Sequence, residues 1–376
     1  MTAVERERIA RATLSIIGEP GQLSVTEAVA ADSGEQVLGW LLEHCQPDLA
    51  ARLGEADAEG MLERADRLRI RFVIPGDAEW PTSLDDLART APLHERGGTP
   101  VGLWVKGPLS LAGATDHAVA VVGSRSATTY GTDAAGEIGA GVAREGYTVV
   151  SGAAAGIDQA AHRGALAVRG PTIAVLACGP DRAYPEAHRN LLDYIADVGA
   201  VVSESPPGCA PTRIRFLARN RIIAGLSRGT VIVEAAVRSG ALNTATWTLG
   251  LGRPTMGVPG PVTSAPSEGV HQLIRHRDAV LVTRAEEVLE VVGPIGSFAL
   301  AEPRAEAGPR DRLSHVQRQV LDAVPVRAGA RLSRIARTAG LSPEKTGAAL
   351  GTLRHLGLVE CFDQRWRLPA GGTTSS

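Results

Sequence analysis

The chain has 376 residues, 44% of them apolar and only 3% aromatic, and a formal net charge of −2. That length suggests two or three domains with cores of Val, Ala, Leu and Ile, while the near-neutral charge excludes a uniformly basic nucleic-acid coat, so any anion-binding surface must come from local charge segregation. Four scattered cysteines (Cys45, Cys178, Cys209, Cys361), no apolar signal core and no membrane-length apolar run favour a cytoplasmic protein without a structural zinc site.

Residues 1–70 are expected to form a helical (SAM-like) N-terminal module. Ile9, Ala10, Thr13, Leu14 and Ile17 recur at helical spacing before Gly18-Glu-Pro-Gly21 ends the segment, and Val37, Leu38, Leu41, Leu49, Leu53 and Leu62 continue the pattern. Residues 71–116 read as a connecting segment of short pieces broken by proline. From 117 to 292, apolar strand candidates (118–122, 148–150, 172–176, 201–203, 231–233, 255–258 and 279–282) alternate with helical stretches. Several are apolar throughout, as expected when helices cover both faces of a parallel sheet. The fold class is therefore α/β, a Rossmann-like, doubly wound, mainly parallel sheet, whose ligands sit beyond the carboxyl ends of its strands. Residues 293–312 read as a linker. Residues 313–369 read as a winged helix: three helices (316–323, 332–339, 344–356), then a hairpin over 359–368. The candidate recognition helix carries Lys345, Arg354 and His355, which leaves DNA contact and protein docking both open. The tail 370–376 is expected to be disordered.

The chemistry lies at strand ends. The run Ala118–Val122 stops at Gly123-Ser124-Arg125, and a helix follows. A strand, glycine turn and helix N-terminus turn backbone N–H groups and a helix dipole toward an anion, and Arg125 adds a guanidinium fork suited to phosphate. A second turn, Ser151-Gly152-Ala-Ala-Ala-Gly156, is built of small residues that allow close backbone approach. Neither turn matches GxGxxG, and no GxxxxGK[ST] occurs, so the dinucleotide and P-loop readings lose their specific support. Between Thr212 and Arg228 stand Arg213, Arg215, Arg219, Arg221 and Arg228 with no acid among them. Helical spacing places Arg215, Arg219 and Asn220 on one face, with Ile222, Ile223 and Leu226 packing inward. Ser239-Gly240 opens another polar turn into a helix. Arginine forks beside phosphate-accepting turns suggest a bound polyanion.

Blander readings stand beside these. Arg125 can serve as an internal ion-pair partner, and Arg219 and Arg221 read as at least partly structural. Glu204 and Glu234 are candidate partners for the arginine cluster. Asp158 and His162 sit four apart on one helix, as catalytic pairs do, but without a second carboxylate or nucleophile pattern a cap and a packing contact is the simpler reading. The nine histidines show no metal spacing. No catalytic residue, metal or cofactor is expected.

The series Gly123-Ser-Arg125, Tyr130-Gly131, Ser151-Gly152, Ala155-Gly-Ile-Asp158, Ala161-His162, Tyr184-Pro185, Phe216, Arg219-Asn-Arg-Ile-Ile-Ala-Gly-Leu-Ser227, Glu234-Ala235, Ser239-Gly-Ala-Leu242 and Val258-Pro-Gly260 resembles the DprA (Smf) family of natural-transformation DNA-processing proteins. The resemblance runs in order through most of the central domain. It implies a non-enzymatic protein that binds and protects single-stranded DNA with little sequence preference, loads the RecA recombinase, and dimerises through the Rossmann-like domain. It places DNA contacts at Gly123, Ser124, Arg125, Ser151, Gly152, Arg219, Asn220 and Arg221, with Arg215, Ser239 and Gly240 alongside. The chain departs from the family pattern at Arg238, where glycine is common, and at His188, His271 and Arg277; Arg238 and Arg277 would extend the basic surface. Two other classes fit parts of the pattern. One is a nucleotide-processing phosphoribohydrolase, whose Pro-Gly-Gly-x-Gly-Thr motif has only Val258-Pro-Gly260 as an echo here; the other is a winged-helix transcription regulator.

Overall fold

The structure, a computed structural model, describes residues 1–44, 47–298, 310 and 312–369. Cys45, most of the linker and the tail 370–376 lie outside the described residues. The chain divides into two compact units, Met1–Leu300 and Ala301–Ser376.

The first unit is built on a nine-stranded sheet: β1 (Ile70–Val73), β2 (Leu103–Lys106), β3 (Ala118–Val122), β4 (Thr148–Ser151), β5 (Thr172–Leu176), β6 (Ala200–Ser203), β7 (Gly229–Ile232), β8 (Thr255–Gly257) and β9 (Val280–Leu281). Their order is β1-β2-β6-β5-β4-β3-β7-β8-β9. Strands β3 to β9 pair in parallel, and β1 and β2 add an antiparallel edge. The chain leaves β3 toward β4, β5 and β6, then returns to the other flank of β3 with β7. The switch point, where doubly wound sheets take their ligands, therefore falls between β3 and β7.

Helices α1 (Ala3–Ile17), α2 (Leu23–Ala31), α3 (Gly34–His44), α4 (Pro47–Glu55) and α5 (Ala58–Arg67) precede the sheet, and α6 (Leu111–Thr115) leads into β3. Around the parallel strands come α7 (Thr129–Arg144), α8 (Ile157–Ala167), α9 (Arg189–Val198), α10 (Arg213–Gly225), α11 (Gly240–Gly250), α12 (Glu268–Arg275) and α13 (Ala285–Val292). The two-residue period of a strand sorts the packing. Ala118, Ala120 and Val122 join Ile222, Ile223 and Trp247 of α10 and α11 in one core. Val119 and Val121 join Ile138, Ile157 and Val288 of α7, α8 and α13 in the other. Both faces are covered, which explains why β3 reads as an unbroken apolar run.

The first 116 residues are less separate than their sequence texture suggests. The segment 71–116 supplies β2 and most of β1, and α1 is fastened over that edge. Trp104 Nε1 donates to Ser15 Oγ at 3.0 Å, Arg11 donates to the Val101 carbonyl at 3.0 Å, and Arg8 pairs with Asp77 at 2.8 Å. Ala12, Ala65, Phe72 and Trp104 close a small core beneath these links.

The second unit contains α14 (His315–Ala323), α15 (Leu332–Ala339), α16 (Pro343–His355) and a ribbon of β10 (Glu360–Phe362) and β11 (Arg365–Arg367). Helix α15 stops at Gly340, held at φ +66°, and Ser342 caps α16 through the Lys345 amide. Leu321, Ile335, Leu350 and Leu353 fill its core. Three helices and a ribbon is the element order expected for a winged helix. Among the described residues no helix is long and apolar enough to cross a membrane.

Candidate nucleic-acid interface

A cleft of about 780 Å³ opens at the carboxyl ends of the strands beside the switch point. Its walls are the turn after β3, the first turns of α10 and α11, and the loop bearing Tyr184.

The two glycine turns are tied together beneath it by one carboxylate. Asp158 Oδ1 accepts from the Gly123 amide at 3.3 Å, while its Oδ2 accepts from the amides of Gly152 and Ala154 at 3.1 and 3.4 Å. The Ser124 amide donates to the Glu234 carbonyl at 2.7 Å. These amides, expected to face a phosphate, are therefore satisfied within the protein. Both glycines are sterically required: a Cβ on Gly123 would lie 2.6 Å from Ile157 Cγ1, and one on Gly152 would collide with the Arg219 guanidinium. Burial pushes the Asp158 carboxyl up from its ordinary value, against the opposing pull of the Arg219 charge and the three amides.

The arginine-rich helix divides its cations by face. Arg219 is buried under the cleft floor, donating from Nη1 to the carbonyls of Gly152 and Val175 at 2.8 and 2.6 Å. Desolvation pushes its pKa down from the usual arginine value, and Asp158 opposes that. Asn220 braces α11 through the Gly240 carbonyl (3.3 Å) and Asn243 (3.1 Å). Arg221 is fully enclosed and paired with Glu204 at 2.6 Å, so in this conformation its guanidinium does not reach the cleft. Arg215 is held by Glu19 at 2.8 Å and by the Ala210 carbonyl at 2.7 Å. Ser151 is also buried, its hydroxyl donating to the Val121 carbonyl at 2.7 Å, and neither it nor Gly152 lines the cleft. Among the described residues Glu234 pairs with no arginine; it accepts from the Thr128 hydroxyl and amide at 2.6 and 2.9 Å.

What faces the cleft with donors to spare is a different set. Arg125, Arg213 and Arg238 are exposed on its walls. Among the described residues none of them has a carboxylate within 4.0 Å. The Arg125 guanidinium sits 4.7 Å from the centre of the Phe216 ring, and the Tyr184 ring lies 5.5 Å from the same ring, tilted by 53°. Thr212 and Ser239 cap α10 and α11, so two helix N-termini add positive partial charge to the walls. The one acid in the lining is Asp158, already committed to three amides. Gly123, Ser124, Arg125, Arg219, Asn220, Ser239 and Gly240 of the expected set thus meet around one cleft. The Phe216–Tyr184 pair was not singled out as a surface from the sequence; its signal is an aromatic three residues before Arg219, one turn along the same helix face.

Asp158 and His162 do not form a working pair. His162 Nδ1 lies 2.7 Å from the Thr172 hydroxyl, which itself donates to the Val149 carbonyl, so the imidazole must donate there. Its Nε2 is buried without a partner, and burial, with His188 and Arg219 adding repulsion, pushes its pKa down to about 3.

Residues 71–293 match the family model described as DNA recombination-mediator protein A. A DNA processing protein DprA of Mycobacterium tuberculosis is 46% identical over 318 residues, 84% of this chain and 80% of its own. The X-ray structure of DNA processing protein A from Streptococcus pneumoniae aligns with a TM-score of 0.62 at 33% identity, covering 75% of this chain and 96% of its own. The structure of the Helicobacter pylori protein, described as having a unique single-stranded DNA binding mode, aligns with a TM-score of 0.50 at 25% identity over 58% of this chain and 94% of its own. With the sheet topology, the turn chemistry and these matches in agreement, the chain belongs to the DNA recombination-mediator protein A family, the DprA (Smf) DNA-processing proteins.

Proposed function

We propose that the cleft binds the backbone of single-stranded DNA without reading sequence, and that the protein protects such strands and passes them to the RecA recombinase. The observation that carries this reading is the cleft's charge imbalance: four arginines against one buried, fully engaged carboxylate, in a chain of net charge −2. Arg125, Arg213 and Arg238 would meet phosphate oxygens, together with the first turns of α10 and α11, while Gly123, Ser124, Ser151, Gly152, Arg219 and Asn220 hold the walls in place. Phe216 and Tyr184 offer flat apolar faces on which any base can stack. The phosphoribohydrolase alternative is disfavoured because the lining holds no uncommitted carboxylate or histidine to act as a base. A homodimer through the Rossmann-like unit and a cytoplasmic location complete the proposal.

Binding of fluorescent oligo(dT) to the full-length protein tests it. The triple variant Arg125→Ala/Arg213→Ala/Arg238→Ala should lose affinity by two orders of magnitude or more, since each charged contact is worth about 1.5–3 kcal/mol. Retention of wild-type affinity by a folded triple variant would sink the proposal. Recombinase filament growth on oligo(dT) and the mass in solution test the RecA and dimer parts separately.

A further inference from the structure

We infer that the C-terminal unit carries a second, separate nucleic-acid surface, built for double-stranded DNA. From Arg312 to Pro369 the sequence holds ten Lys/Arg and four Asp/Glu, a net +6 on a chain of net −2. Within this unit the ion pairs among described residues are Arg310–Asp322 and Arg367–Glu360. Most of its cations therefore lack an acidic partner in the unit.

Their placement is directional. Arg331, Arg334 and Arg337 follow at three-residue spacing at the start of and along α15, all exposed, so they form one stripe. Ala330 bridges antiparallel to Trp366 of the ribbon, and Arg365 Nη1 donates to the Gly329 carbonyl at 3.3 Å, so the entry to α15 lies beside the strand that carries Arg365 and Arg367. Basic residues thus stand on both the helix and the ribbon.

The element between them in the chain, α16, exposes a different surface. Ala348, Gly351 and Thr352 are exposed on one face, with Lys345 and His355 toward its ends. A helix about 10–12 Å across with small residues on its outer face fits a major groove about 12 Å wide. Next to the ribbon's turn, Phe362 is 83% exposed, the sort of apolar side chain that minor-groove proteins press against base steps. A single strand needs a groove with stacking platforms. Cations on two rigid elements flanking a slim helix suit two phosphate chains with a groove between them.

This inference is independent of the cleft, and its test keeps the two apart. Full-length protein carrying Arg125→Ala, which weakens the cleft, would be titrated with a blunt hairpin duplex, with and without Arg331→Ala/Arg334→Ala/Arg365→Ala. The C-terminal substitutions should lower duplex affinity on the order of tenfold or more and reduce the salt slope by about 2–3. Lysine at the same three positions should restore most of the binding. In an otherwise wild-type background the same triple should leave oligo(dT) affinity within about twofold, because these side chains lie outside the cleft. Absence of duplex binding, an unchanged duplex affinity in the triple variant, tighter binding of an RNA duplex, or stronger competition by polyglutamate than by duplex DNA would each overturn the inference.

Discussion

Replacing Arg125 with alanine separates contact from scaffold more cleanly than any other change at the cleft. The side chain is exposed, has no carboxylate within 4.0 Å among the described residues, and packs on the Phe216 ring, 4.7 Å away. An exposed cation–π contact is worth about 0.5–1 kcal/mol, so the folded state should lose little, and the urea midpoint should move only slightly. A charge-assisted bond to phosphate is worth about 1.5–3 kcal/mol, which corresponds to a tenfold to hundredfold rise in the Kd for oligo(dT). One lost phosphate contact also lowers the slope of log K against log salt by about 0.7 for a single strand. Arg125→Lys should keep most of that slope, because the charge remains, yet lose part of the affinity with the planar fork. Fluorescence anisotropy over a salt series reads both quantities. An alanine variant with unchanged affinity and slope would show that the turn after β3 meets no phosphate, and the reasoning for the whole cleft would fail with it.

Three further outcomes follow from the interior. Arg221→Met leaves Glu204 buried without its 2.6 Å partner and should cost about 3–5 kcal/mol in urea unfolding; the double change Arg221→Met/Glu204→Leu should recover most of it, and a double variant no better than the single would refute this. In Gly152→Ala the new methyl collides with the Arg219 guanidinium, so oligo(dT) binding should weaken alongside a stability loss of about 1–3 kcal/mol; a variant that binds and melts like wild type would place Arg219 elsewhere. His162 has a folded pKa of about 3 against an ordinary 6.5, so its neutral form belongs to the folded state. Its contribution is complete above pH 6.5 and drains away as pH falls toward 3, at about 1.4 kcal/mol per pH unit. Urea midpoints between pH 7 and 5 should show that slope in the wild type and a shallower one in His162→Gln; equal slopes would refute the assignment.

The parallel core was legible because its physics is local. Ala118–Val122 and Thr172–Leu176 are apolar on both faces and bounded by turn residues, and the structure gives them the same limits. Strands β1 and β2 were not legible as strands. Their stretches are short and proline-broken, and only the docking of α1 and α5, through Trp104, Phe72 and Ala65, makes them a buried edge. Helix α10 shows the same limit at the site. Its four arginines announce positive charge, but the sorting depends on acids outside the helix: Glu19 holds Arg215 and Glu204 pairs with Arg221. No spacing rule within residues 212–228 contains that information. Arg213 and Arg238 line one cleft for the same kind of reason, since α10 and α11 come together only once β7 returns to the flank of β3.

The internal use of the turn amides bears on selectivity. A turn whose N–H groups stand open recruits a terminal phosphate and fixes it in place, as dinucleotide and P-loop sites do. Here Asp158 occupies the Gly123 amide of the first turn and the Gly152 and Ala154 amides of the second, and Arg219 clamps the second turn through the Gly152 carbonyl. Four of the amides that would cradle a single phosphate are therefore engaged within the protein before any ligand arrives. Exposed arginines and helix N-termini spread along the walls remain, and they reward a chain of phosphates more than a single one. A mononucleotide should accordingly compete poorly with oligo(dT) at equal phosphate concentration, and competition as strong as the polymer's would mean that Asp158 yields its amides to the ligand.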